Sequence, residues 1–183
     1  YAVSQCVANR GDVIMIKPGH TETVGTATIL PLNIAGVAIV GLGVGTQRPT
    51  FTLDTANTAT IPVSVDNVSV TNCRFVANFL SIAAAFTLTT AKWFTLQNCI
   101  FTETSAVLDF LNIVKSTGAA NTVDGLTCIN NSWFGLGSTS VNSFVLTAND
   151  IDGATIKNNR VILARTATAA IIATVTAGVL TNF

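Results

Sequence analysis

Val68-Ser69-Val70-Thr71-Asn72-Cys73-Arg74-Phe75 can be laid, residue for residue, on three later stretches of the same chain. These are Phe94-Thr95-Leu96-Gln97-Asn98-Cys99-Ile100-Phe101, Leu126-Thr127-Cys128-Ile129-Asn130-Asn131-Ser132-Trp133 and Ala154-Thr155-Ile156-Lys157-Asn158-Asn159-Arg160-Val161. Every copy reads apolar, Ser or Thr, apolar, variable, Asn, Cys or Asn, variable, large apolar. The copies start 26, 32 and 28 residues apart, and a weaker one, Val37-Ala38-Ile39-Val40-Gly41-Leu42, precedes them by 31. A period in that range marks a solenoid, in which each repeat buries its apolar face only against its neighbours. The alternation inside each copy has a period of two, so the repeated element is a strand and not a helix.

Stacking the copies predicts which side chains meet. Phe75, Phe101, Trp133 and Val161 should form one inward column, and Val70, Leu96, Cys128 and Ile156 another. Cys73, Cys99, Asn131 and Asn159 should form a third, its amides bonded along the stack because buried polar groups need partners. Ser69, Thr95, Thr127 and Thr155 should stack outward. The other apolar runs, Thr50 to Leu53, Phe79 to Phe86, Val107 to Val114, Phe144 to Thr147 and Ala169 to Val175, should supply the remaining walls of each coil. Asp12-Val13-Ile14-Met15-Ile16-Lys17-Pro18-Gly19 reads as the first strand, with Ile14 and Ile16 inward and a Pro-Gly turn after it. Residues 2–10 read as a short amphipathic helix. The chain thus divides into a capping helix over 1–11 and a solenoid over 12–183. Val179 to Phe183 reads as the start of a further repeat, so a continuing chain or a covering partner is expected beyond it.

The composition narrows the function. Apolar residues make up 49% of the 183 and charged ones 10%, well under the roughly 25% usual in soluble domains. Nine basic and nine acidic residues cancel, which leaves no electrostatic footprint for nucleic acid or anionic lipid. The runs from Ile29 to Val44 and from Thr166 to Phe183 are long and apolar, but they are rich in β-branched residues and broken by Pro, Asn or Thr. They read as buried strands rather than membrane spans. Of the four cysteines, Cys73 and Cys99 share one repeat position and Cys128 lies in an inward column. Parallel neighbours sit at about 4.8 Å but aim badly for a disulfide, so free buried thiols are expected. The spacing around the one histidine gives no metal site, and no cofactor is implied.

Gly11-Asp12-Val13-Ile14-Met15-Ile16-Lys17-Pro18-Gly19, followed by repeats ending Asn72-Cys73-Arg74-Phe75 or Asn158-Asn159-Arg160-Val161, resembles right-handed parallel β-helix proteins of the pectin-lyase-like class. Pro18-Gly19-His20-Thr21-Glu22 and Gly41-Leu42-Gly43 near Arg48-Pro49 are similar in style to β-helix proteins encoded by tailed bacteriophages. The resemblance implies an all-β, right-handed parallel β-helix of about five coils, a viral origin and a homotrimer. It is silent on activity.

Enzymes of that resemblance carry carboxylates on the outer face of adjacent coils. Asp66, Asp124 and Asp152 fall in one column here, each two residues before its repeat, with Lys92 in the intervening coil. Turn chemistry accounts for that ladder better than catalysis does, since Asp-Asn and Asp-Gly suit turns. Glu103 and Asp109 share a coil and are weaker catalytic candidates, as are Asp124 and Asp152. His20 and Glu22 lie two residues apart beside a turn, where polar surface residues are ordinary. Arg48-Pro49 lacks the pattern around the Arg-Pro element of pectate lyases. The Ser69, Thr95, Thr127 and Thr155 ladder offers regularly spaced hydroxyls to a glycan or to ice, although Thr is also simply a good exposed strand residue. Trp93, Ile100, Ile129 and Phe134 should point outward beside it, and large apolar groups outside a solenoid suggest a covered surface.

The expected function is a non-enzymatic structural protein of a phage virion: a spike, a fibre or a capsid-decorating protein. It would be located in the particle and would assemble as a homotrimer with other virion proteins, with a glycan as a further possible partner. The alternatives are a polysaccharide-degrading tailspike enzyme and an adhesin or self-stacking extracellular fibre subunit.

Overall fold

Backbone pairing follows the repeat register without a slip. A computed structural model describes residues 2–136, 143–164, 172–175 and 180–181. Its strands form a parallel β-solenoid of about five coils with three walls. The first sheet stacks Val13–Ile16, Ala38–Gly41, Ser69–Thr71, Thr95–Gln97, Thr127–Ile129 and Thr155–Lys157. The second stacks Thr21–Val24, Thr50–Leu53, Arg74–Ala77, Ile100–Glu103, Ser132–Gly135 and Arg160–Leu163. The third stacks Ile61–Val63, Phe86–Leu88, Asn112–Ser116, Ser143–Thr147 and Ala173–Val175. Leu180 and Thr181 pair with Ile151 and Asp152, at the approach to the repeat motif.

Asn at the fifth position of the motif makes the turn from the first sheet to the second. Asn72, Asn98, Asn130 and Asn158 have φ of 59°, 53°, 57° and 55°, the left-handed conformation that Asn tolerates better than most side chains. The Asn72 amide donates to the carbonyls of Gly41 and Gly43 in the preceding coil, at 2.7 and 3.0 Å. The Asn98 amide donates to Asn72 Oδ1 at 3.2 Å. One position on, the inward amides bond along the stack as the columns require. Asn131 Oδ1 accepts the Cys99 N–H at 2.9 Å, while Asn131 Nδ2 donates to Leu96 O at 2.9 Å and to Asn159 Oδ1 at 3.0 Å.

The core is an aromatic stack. Phe51, Phe75 and Phe101 lie in register, with ring centroids 5.6 and 5.2 Å apart, and Trp133 and Val161 continue their column. Phe110 and Phe144 meet Phe101 edge-on at 6.3 and 6.2 Å. Ile14 and Ile16 pack on this core, while Val13 and Met15 are exposed.

Two expectations need correction. The helix over 2–10 is only a single 3₁₀ turn, Val3–Gln5, which places Val3 alone in the core. Asp12 is the reason: its carboxylate accepts the Val7 N–H at 2.7 Å and pairs with Arg10, while Asn9 takes a positive φ of 58°. A cavity of about 290 Å³ therefore remains at that end, lined by Ile14, Ile16, Ile39 and Phe51, with His20 and Glu22 at its mouth. The runs at 79–86 and 107–114 are also not whole strands. Their first parts are irregular, joined by an isolated Ile82–Phe110 bridge, and ladder pairing starts only at Phe86 and Asn112. Among the described residues, no helix is long and apolar enough to cross a membrane.

All four cysteines are free, and Cys73, Cys99 and Cys128 are buried. Burial pushes the Cys73 and Cys128 thiols up from 9.0 to about 12 and moves Cys99 in the same direction, the neighbouring Cys73 adding to the rise. A thiol reagent at neutral pH should therefore modify Cys6 quickly and the other three only after denaturation. Complete and rapid labelling of the native protein would contradict the packing. The unfolded chain loses these protons near pH 9 while the folded chain keeps them, so stability should fall as pH rises from 9 towards 12. The loss at pH 10 is on the order of 1 kcal/mol per buried thiol.

Candidate functional surfaces

The corner leading into the first sheet is built from residues in left-handed conformation: Asn67, Trp93, Gly125 and Gly153, with φ of 59°, 57°, 72° and 66°. Gly and Asn suit that geometry, whereas a bulky aromatic does not. Trp93 nevertheless occupies it and is 54% exposed. The next coil makes room: a Cβ on Gly125 would come within 2.4 Å of Trp93 Cδ1.

The residues just before this column form the Asp66, Lys92, Asp124 and Asp152 ladder foreseen from the spacing. Asp66 Oδ1 accepts the Lys92 N–H at 2.9 Å, and Asp124 Oδ1 accepts the Asp152 N–H at 3.0 Å. Lys92 Nζ reaches Asp124 Oδ2 at 3.3 Å. Each of these carboxylates bonds the backbone of the following coil, which is the chemistry of a turn. A shallow cleft of about 370 Å³ opens beside them, lined by Ser64, Asp66, Asn67 and Thr90.

Across the first sheet, Ser69, Thr95, Thr127 and Thr155 stand opposite one another, one per coil. A second outward column runs Met15, Val40, Thr71, Gln97, Ile129 and Lys157. Hydroxyls therefore occupy the later coils, while the earlier ones carry Val13, Ala38, Met15 and Val40. On the second sheet, Phe134 is 36% exposed and lies under the Arg160 guanidinium, 5.7 Å from its ring centre. Ile100 begins the Ile100–Glu103 strand beside Arg74 and Ser132.

Glu103 and Asp109 both lie inside the protein. Glu103 is the last residue of its strand and takes an inward position, stacked on Ala77. Its carboxylate accepts from Trp133 Nε1 at 3.1 Å, from the Leu136 N–H at 2.6 Å and from the Phe110 N–H at 3.4 Å. Asp109, also buried, accepts the Ser81 N–H at 3.2 Å. His20 and Glu22 pair at 3.3 Å. Arg48 reaches two coils onward to bond Asn98 O at 2.6 Å and Asn98 Oδ1 at 3.3 Å.

Sequence reasoning missed two features. Glu103 aligns with Ala77 and precedes the column position of Gly135, and two small neighbours around an acid were the available signal of an inward carboxylate. The basic column of Arg74 and Arg160 at the start of the second sheet was also in the repeat alignment, at the motif's seventh position. Among the described residues, no group of three or more His, Cys, Asp or Glu could hold a metal ion. In comparison with known proteins, the chain matches no family model, no curated protein and no solved structure.

Proposed function

We propose that the chain is a non-enzymatic structural protein of a bacteriophage particle, a spike, fibre or capsid-decorating protein, which works by assembling through the surfaces of its solenoid. The observation that carries this reading is where the carboxylates are spent. Glu103 and Asp109 hold loops from inside the core, and Asp66 and Asp124 hold turn backbone. The outer surface, in contrast, bears Met15, Trp93 and Phe134, which suit a covered face better than open water. The phage-like style of the N-terminal stretch supports the virion setting. Gold-labelled antibody against the chain should decorate the tail or capsid in micrographs of the native source. Label confined to cell surfaces or bare filaments would favour the adhesin or fibre alternative and overturn this one.

One observation favours a second reading, a polysaccharide-degrading tailspike. Trp93 is exposed one coil on from Asn67, which lines the polar cleft at Asp66, and an exposed indole suits stacking on a sugar ring. Incubation with capsular polysaccharide should release no oligosaccharide. Release that disappears on Asp124→Ala or Asp152→Ala would reverse the ranking.

A further inference from the structure

The two corners that flank the first sheet carry opposite charge. Asp66, Asp124 and Asp152 stand at its approach, with Lys92 among them and tied to Asp124, and Arg74 and Arg160 stand just past it, with Lys157 beside them. Coil by coil, Asp66 stands level with Arg74 and Asp152 with Arg160, while Lys92 and Asp124, already paired with each other, stand level with Ile100 and Ser132. Neither arginine has a carboxylate partner within the described chain. Arg74 touches only the Thr102 hydroxyl, at 3.2 and 3.4 Å, and Arg160 lies over Phe134 at 5.7 Å. The whole width of the first sheet keeps each pair apart.

Rotation about an axis parallel to the solenoid leaves every coil at its own height. Each coil climbs about 4.8 Å, so the eight residues between paired corners account for only about 1.4 Å of it, well under one coil. In a ring of copies, the acidic corner of one would therefore meet the basic corner of the next level for level. We propose that this edge-to-edge contact is a homo-oligomer interface, in which Asp66 meets Arg74 and Asp152 meets Arg160 of the neighbouring copy, while Lys92, with Trp93 beside it, meets Ile100 and Asp124 meets Ser132. The contact is heterologous and closes by rotation. It turns the first sheet towards the axis and buries Val13 and Met15, which are 51% and 69% exposed in the isolated chain. A three-walled solenoid presents one flat face to that axis, and three such faces close a triangle. The inference rests on the assembly reading above and names the surface that performs it.

Charge reversal tests it. The wild-type chain should sediment as a trimer that dissociates as salt rises. Arg74→Glu with Arg160→Glu gives two acidic corners and should be monomeric. Neither arginine hydrogen-bonds to the backbone, so that variant should keep its fold by circular dichroism. Adding Asp66→Arg and Asp152→Arg to it restores opposite corners and should restore the trimer. Asp152→Arg with Arg160→Glu, a swap of two exposed side chains, should likewise assemble better than Arg160→Glu alone. A monomeric wild type, a trimer indifferent to the first reversal, or a folded fourfold variant that stays monomeric would each overturn the proposal. An oligomer indifferent to the reversals would leave the virion reading standing, because gold labelling judges that separately.

Discussion

Replacing Phe101 by alanine should lower the unfolding free energy by about 3–5 kcal/mol. Phe101 is fully buried and lies at the centre of the aromatic stack. Phe75 faces it at 5.2 Å, and Phe110 and Phe144 meet it edge-on. Truncation removes the apolar area of a whole ring and also opens a hole that the neighbours cannot fill. Those neighbours are fixed by two ladders of strand pairing, so relaxation is small and the cost belongs at the upper end for such substitutions. Urea unfolding monitored by circular dichroism measures the effect. A loss under about 1 kcal/mol would mean that the ring does not sit inside. Phe134→Ala, on the outer face of the same wall, should cost far less in the isolated chain.

Glu103→Ala is expected to have a comparable effect for a different reason. The carboxylate receives the Trp133 indole N–H and the backbone N–H groups of Leu136 and Phe110. Removing it takes this acceptor from two buried donors and from the part-buried Leu136 N–H, and the loss of a buried acceptor is costly. The expected loss is about 3–5 kcal/mol, with faster hydrogen exchange at Phe110 and Leu136. Glu103→Gln keeps one acceptor oxygen and should lose roughly half as much. Equal losses for Gln and Ala would show that the charge, and not the hydrogen bonding, holds the two loops. Unchanged exchange at Leu136 in Glu103→Ala would show that the contact contributes little.

The inward columns were legible because a solenoid repeats its own evidence. Phe75, Phe101, Trp133 and Val161 are aligned in the sequence before any geometry is known, and parallel pairing adds only the spacing. The Asn131 to Asn159 amide ladder was equally legible, since a polar residue in an inward column has to bond along the stack. Local turns were harder to read. The segment before Asp12 has helical spacing of apolar residues, yet one carboxylate captures the Val7 N–H and ends the helix after a single turn. The runs at 79–86 and 107–114 are apolar enough for strands, but the first part of each is irregular and hydrogen-bonds to a buried carboxylate, Ser81 to Asp109 and Phe110 to Glu103, acids that period-two patterning marks as misplaced. The candidate surfaces were read as columns, which placed Ser69, Thr95, Thr127 and Thr155 in a row. The strain at Trp93 was not visible, because only the backbone reveals that its coil-to-coil equivalents are all in left-handed conformation.

The central claim is that the solenoid acts by assembling, and the mass of the wild-type chain in solution tests it most directly. Sedimentation equilibrium at low salt should give three times the mass of one chain, falling towards one as ionic strength increases. A single monomeric species at high protein concentration and low salt, with Trp93 fluorescence still quenched freely by a soluble quencher, would contradict it.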